Sequence, residues 1–268
     1  MATYCSTPFA GGAHFNILDT PISGILNGSN DISHAFLLSA VSKPDDCHRD
    51  EAYSRNLNVE RMKMLISDLL NRGVTPVFFS TESVFDGAQG NYVETDSPRP
   101  LMAYGRQKLE IESFLRAQSD NHIIIRLGRV FGSRRGDGTL FTAWLEQLEK
   151  DQNIRCATDN IFSPIHIADA AESLRLLVQH NLTGTYHLAG PDALSRYDML
   201  ETLVREYTRH RPYRGRIVPC KMRDFATPEP RPLDISLNPG KIIEATGFQI
   251  RGAVDWIGRI TNEWCLDA

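Results

Sequence analysis

Residues 56–81 read NLNVERMKMLISDLLNRGVTPVFFST. In the first part Leu57, Met64, Leu65, Leu69 and Leu70 recur at helical spacing, and Gly73 stands where such a helix stops, because a left-handed terminal residue suits glycine. The following run, VTPVFFST, is dense in β-formers. Upstream, HAFLLSAVS at 34–42 is a short apolar run that ends in small residues. The order is strand, helix, strand.

The alternation then repeats. A long loop from Val84 to Pro100 leads to a helix around AYGRQKLEIESFLRAQ and to a third apolar run, HIIIRLGRVFG. Continuous apolar strands between amphipathic helices imply a parallel sheet covered on both faces. Ligands of such sheets bind beyond the carboxyl ends of the strands, here SAVS, FFSTES and RLGRVFG. Further helices are expected near 139–150, 167–180, 195–209 and GKIIEATGF, with a strand at GTYHLAG (184–190). The segment PCKMRDFATPEPRPLDISLNPG carries five prolines beside anchoring apolar residues and reads as an ordered, irregular wall.

The chain has 268 residues, 41% hydrophobic and 23% charged, enough to bury a sizeable core. A net charge of −4 and a pI near 6.1 give no general attraction to nucleic acid or to an anionic membrane. RPYRGR at 211–216 is the only dense basic run and reads as a solvated loop. No stretch approaches the roughly 20 apolar residues of a membrane span, and the N-terminus lacks a secretory signal pattern, so a cytoplasmic location is expected. Cys5, Cys47, Cys156, Cys220 and Cys265 are scattered without C-x-x-C spacing, which fits reduced thiols and neither a disulfide framework nor a metal site.

Within LMAYGRQKL (101–109), Tyr104 and Lys108 lie four apart on one helix face, so a phenol and an ammonium can be held toward one point. The spacing permits chemistry and, alone, is weak evidence of it. The wider set is specific. STESVFDG, then GNYVETDSPRPLMAYGRQKLEIE, IIIRLGRVFG, GTYHLAG and RPLDISLN resemble, in order, the extended short-chain dehydrogenase/reductase superfamily, and within it the dTDP-4-dehydrorhamnose reductase branch, which includes the non-catalytic beta subunit of methionine adenosyltransferase. The resemblance runs from about residue 33 to the C-terminus.

That resemblance implies a catalytic set of Thr81, Tyr104 and Lys108, with Tyr104 protonating a carbonyl oxygen, Lys108 lowering the phenol's pKa and holding a ribose, and Thr81 bonding the developing alkoxide. It places Ser39 and Ala40 along an NADP or NAD cofactor together with Tyr104 and Lys108, and Asn58 at the opening of the helix beneath the site. It puts Glu82, Ser83, Arg126 and Arg231 against the substrate, Arg231 as a fork for phosphate. His166 and Asp169 fall where the chain returns to the core, His166 as a packing or capping residue. No metal is expected.

The departure from the family is at the N-terminus. FAGGAHFNILDTP has Gly11 and Gly12 but no third glycine at the dinucleotide fingerprint spacing and no preceding apolar strand. HFNILD resembles a later family segment, near the adenine, so the first strand, the phosphate-binding turn and the ribose selector have no counterpart in this sequence. Glu82 and Ser83 also stand where the sugar reductases usually carry Asp and Tyr.

The expected fold is α/β: a Rossmann-like parallel sheet, N-terminally truncated, over 1–160, with a smaller interleaved substrate-binding region over 161–268. The leading functional expectation is an NAD(P)-dependent reductase of a nucleotide-linked 4-keto-6-deoxy sugar, with a homodimer or a partner chain completing the N-terminal site. The alternatives are a non-redox regulatory or sugar-nucleotide-binding protein, in which dinucleotide binding is lost, and a cofactor-independent lyase or isomerase.

Overall fold

The computed structural model describes residues 1–26 and 32–266. Four strands form a fully parallel sheet: β1 (His34–Leu37), β2 (Thr75–Thr81), β3 (Ile123–Leu127) and β4 (Gly184–Leu188), in the spatial order β4-β3-β2-β1. The helices that build the two cores are α1 (Met62–Leu70), α2 (Ala103–Gln118), α3 (Leu140–Leu148), α4 (Ile167–Gln179), α5 (Arg196–Tyr207), α6 (Gly240–Thr246) and α7 (Ala253–Leu266). The strand, helix, strand reading of 34–81 holds, and Gly73 has the left-handed φ of +72° that stops the helix. The helical stretch is longer than its sequence suggests. It begins at Pro44, is interrupted at Asp50, and passes through a π-helical turn at Asn56–Arg61 before α1. The buried stripe consequently differs from the expected one: Val59, Met62, Leu65, Ile66 and Leu69 are buried, whereas Met64 is 58% exposed.

One face of the sheet packs Leu37, Phe78 and Ile124 against α1 and α2. The other packs Val77, Ile123, Ile125 and Leu188 against α4 and α6. Each fully buried Phe, Leu or Ile contributes about 1.5–3 kcal/mol by leaving water, so these two layers hold the strand ends in register. A second core joins α3, α5 and α7 through Phe141, Leu145, Leu203, Ile257 and Trp264. It already includes Phe131 and Ile154, so the cores do not part at residue 160. The chain leaves the sheet after β3, builds part of the second core, returns for α4 and β4, leaves again for α5, and comes back with α6 before α7. The two cores thus alternate along the chain, and Phe131 and Ile154 of the second core precede residue 160.

Thr3–Tyr4 and Ala13–His14 form a separate two-stranded parallel ribbon. Among the described residues no element pairs with the outer edge of β1 in the sheet, and Phe36 on it is 45% exposed. Among the described residues no helix is long and apolar enough to cross a membrane, and no His, Cys, Asp and Glu group could hold a metal ion.

Candidate active site

The carboxyl end of β2 and the first turns of α2 bring Thr81, Tyr104 and Lys108 together. Thr81 ends the strand, and its hydroxyl accepts from Ser83 N at 3.1 Å, which starts a tight turn over Glu82–Val84. The Tyr104 phenol stands near enough for this hydroxyl to draw its pKa down. Gly105 lets α2 approach that turn: a Cβ there would lie 2.2 Å from the Ser83 carbonyl oxygen and 2.9 Å from Pro100 Cβ. Gly105→Ala is therefore expected to destabilise the fold by about 1–3 kcal/mol through overpacking, although alanine is intrinsically the better helix former by roughly 1 kcal/mol. Chemical denaturation checks this; an unchanged or raised midpoint contradicts the tight approach.

Lys108 is buried, its Nζ donating to the Phe79 carbonyl at 2.7 Å, 4.7 Å above the Phe78 ring and 5.8 Å from the Tyr104 ring centroid. Burial lowers its pKa to about 8. Burial also pushes the Tyr104 phenol well above its ordinary value, and the nearby Cys47 and Glu82 add to the rise while the Thr81 hydroxyl opposes it. This corrects the expected lowering of Tyr104: desolvation is the largest influence on the phenol and raises its pKa. The phenol is a neutral acid at physiological pH, able to give a proton and not poised to take one.

Asn58 sits inside the π-helical turn and ties the site together. Its carboxamide accepts from Val41 N at 2.8 Å and donates to the Gln107 side chain at 2.8 Å, joining the end of β1 to α2. Such single π turns concentrate at functional sites. Ser39 and Ala40 lie just past β1, exposed and partly buried respectively.

Beside this set lies a cavity of about 460 Å³ whose lining includes Glu82, Ser83, Arg129, Arg155, Arg196 and Arg231. Three of the expected substrate residues, Glu82, Ser83 and Arg231, are therefore at its wall. Arg231 pairs with Asp45 and donates to Met102 Sδ at 2.7 Å. Arg129, Arg155 and Arg196 form no ion pair with a carboxylate among the described residues. Their guanidinium groups stand over the rings of Phe162, Phe225 and Trp144 at 5.3, 5.3 and 5.8 Å. Arg155 Nη2 also donates to the Asp224 carbonyl at 3.4 Å, and Arg129 faces the Glu82 carboxyl; guanidinium groups without a carboxylate ion pair can meet an anion's oxygens. Glu82 is the acidic exception: burial raises its pKa to about 7 against the opposing charge of Arg129, and its Oε2 has no hydrogen-bond partner.

Arg126 is the misplaced expectation. It is 2% exposed and does not line the cavity; its Nη2 holds Glu112 at 2.9 Å, and its Nη1 reaches the Glu94 carbonyl at 3.3 Å and His187 Nε2 at 3.4 Å. Alternation along β3 turns this side chain under the sheet, where Glu112 awaits it. His166 accepts from Ala168 N and caps α4, as expected, and Asp169 accepts from Trp256 Nε1. Arg129, Arg155 and Arg196, with Trp144 and Phe225, were not singled out in the sequence. An arginine at the first helical position, as at Arg196, is unfavourable beside the positive end of the helix dipole and is the one local signal for them.

Tyr104 and Lys108 on α2, and Ser39 and Ala40 just past β1, stand at the carboxyl edge of the sheet. Among the described residues no glycine turn opens a helix toward the site: Gly11 has a left-handed φ of +79°, but its turn runs into the short strand Ala13–His14, and the Phe9 ring lies 2.7 Å from where a Gly12 Cβ would be.

A parallel sheet with helices on both faces, a Thr–Tyr–Lys set at its carboxyl edge and an arginine-lined cavity beside it define a protein of the extended short-chain dehydrogenase/reductase type. A model of the RmlD substrate binding domain matches residues 32–263, and the chain belongs to that family. It is 27% identical over 192 residues to a probable low-salt glycan biosynthesis reductase, Agl14, of Haloferax volcanii, covering 70% of this chain and 64% of that protein. It is 27% identical over 237 residues to a dTDP-4-dehydrorhamnose reductase of Aggregatibacter actinomycetemcomitans, covering 84% and 78%. It is 27% identical over 169 residues to the methionine adenosyltransferase 2 subunit beta of Danio rerio, covering 60% of this chain and 51% of that one. The chain thus spans less than two thirds of two of these relatives. The fold is that of a hypothetical dTDP-4-dehydrorhamnose reductase from Sulfolobus tokodaii, with a TM-score of 0.79, 24% identity and coverage of 94% and 88%. It is also that of the Bacillus anthracis enzyme solved in complex with NADP, with a TM-score of 0.79, 20% identity and coverage of 90% and 84%.

Proposed function

We propose that this chain is an NAD(P)-dependent reductase of a nucleotide-linked 4-keto-6-deoxy sugar. The observation that carries the reading is the placement of Thr81, Tyr104 and Lys108 beside a cavity lined by three guanidinium groups without a carboxylate ion pair among the described residues. A sugar nucleotide has the matching pieces: a diphosphate for the arginines, a base for Trp144 and Phe225, and a ketone to present to the hydroxyls.

With the ketone beside Thr81, the Thr81 hydroxyl and the Tyr104 phenol hydrogen-bond its oxygen, and Tyr104 releases its proton as negative charge develops there. Lys108, charged below about pH 8, then faces the phenolate it helps to stabilise. The dinucleotide, when bound, supplies the hydride; Tyr104, Lys108, Ser39 and Ala40 are the residues that would hold it. A second reading, binding of a sugar nucleotide without redox chemistry, draws on the lack of a glycine turn at a helix N-terminus among the described residues.

Calorimetric titration with dTDP-glucose and, separately, NADPH tests the reading. Binding of both supports the reductase; dTDP-glucose binding with no NADPH binding moves the conclusion to the second reading. The same titration carries a pH prediction. Glu82 is neutral below about pH 7 and ionises above it, placing a negative charge at the anion site. Affinity for dTDP-glucose should fall roughly fivefold as pH rises through that value, the worth of about 1 kcal/mol of like-charge repulsion. Glu82→Gln should flatten the dependence; a profile unchanged by that substitution contradicts the assignment.

A further inference from the structure

The helix that carries Tyr104 and Lys108 does not cap itself. Met102 stands at its N-cap and has no side chain that can accept a hydrogen bond from the first turn. The cap comes from far along the chain: Glu229 Oε1 accepts from Ala103 N at 2.9 Å and from Arg106 Nη2 at 3.2 Å, with His48 Nδ1 at 3.9 Å. A carboxylate at this end also suits the helix dipole. Glu229 is 8% exposed, and its second oxygen is buried without a partner, so all of these contacts fall on Oε1.

The position of Glu229 gives the contact its meaning. It lies between Pro228 and Pro230, whose fixed φ angles stiffen the strand of chain around it. On either side, Phe225, Ala226, Thr227, Arg231 and Pro232 line the arginine cavity, while Glu229 does not. Arg231 reaches from the cavity wall to Met102, the residue before the capped turn. Tyr104 therefore follows directly on the residue that Glu229 caps and precedes the glycine pressed against the Ser83 carbonyl. A displacement of the 225–232 wall has a rigid route to the first turn of α2.

We propose that Glu229 is a positioning residue that couples occupancy of the arginine cavity to the placement of the Tyr104 phenol. The inference rests on the reading of that cavity as a sugar-nucleotide site. It assigns Glu229 no contact with substrate: filling the cavity seats the 225–232 wall, the wall seats Glu229, and the capped turn sets Tyr104 against Thr81.

The test places 3-fluorotyrosine at position 104 as the sole fluorinated residue and follows its fluorine resonance while dTDP-glucose is titrated, with calorimetry in parallel. The wild-type resonance should shift on binding. Glu229→Ala should bind dTDP-glucose with similar affinity and lose the shift, whereas Glu229→Gln, whose amide oxygen can still accept from Ala103 N, should keep it. If the alanine variant does not fold, Glu229→Asp decides, since its shorter carboxylate should give a reduced shift and a full one overturns the proposal. A full shift in a folded Glu229→Ala, or wild-type binding with no shift, overturns the coupling and leaves the cavity reading standing. No binding by the wild type overturns both.

Discussion

Tyr104→Phe should abolish most turnover, by about 10²–10⁴-fold, while sugar-nucleotide affinity stays within error of the wild type. The substitution removes one oxygen from a site whose ligand contacts are assigned to the arginine cavity, so the loss falls on the proton transfer and not on binding. The pH profile should carry a second signature. Lys108 has its pKa lowered to about 8 by burial, so its ammonium is present below that pH and lost above it. Once neutral, it no longer stabilises the phenolate left by proton transfer, and turnover should decline as pH rises through about 8. The Tyr104 phenol, raised well above its ordinary value, stays protonated throughout that range and does not set the limb. Steady-state rates and calorimetry on the two proteins check both statements. A Tyr104→Phe variant with near wild-type turnover contradicts the assigned role outright.

Arg126→Ala should cost about 3–5 kcal/mol of stability, because it leaves the fully buried Glu112 without its main counter-charge. Burial alone would raise the Glu112 pKa; Arg126, Ser80 and Arg116 together bring it below the ordinary range, and Arg126 contributes most of the opposing effect. The loss should appear in chemical denaturation, whereas a substrate arginine would show it in ligand affinity. The paired variant Arg126→Met with Glu112→Leu should recover part of the loss. It leaves the Ser80 hydroxyl, which now donates to Glu112 at 2.5 Å, without its acceptor, at about 1–3 kcal/mol. A stable Arg126→Ala protein with weakened dTDP-glucose binding would return Arg126 to the site.

This contrast shows what the chain discloses before it folds. The parallel sheet was legible because the apolar runs at 75–81 and 123–127 are buried on both faces and leave an unbroken pattern. The Thr81, Tyr104 and Lys108 set was legible because strand-end and helix spacing put the three at one edge. The arginine cavity was not. Arg129, Arg155, Arg196 and Arg231 come from four separate stretches of the chain, and no local period announces that they face one space. Arg126 was misassigned for the same reason: its partner Glu112 lies on a helix, and only the packing of α2 on β3 brings the two together. The cap on α2 was equally hidden, since Glu229 is 126 residues from the amide it accepts. The helix α7, though amphipathic through Ala253, Ile257, Ile260 and Trp264, was passed over in the sequence, where a regular stripe was available to find it.

The central claim is reduction of a sugar-nucleotide ketone, and its most direct test is consumption of NADPH by the purified chain in the presence of dTDP-4-dehydrorhamnose. The account predicts NADPH oxidation that depends on the sugar nucleotide and disappears in Tyr104→Phe. No oxidation by a wild-type protein that binds dTDP-glucose would contradict it.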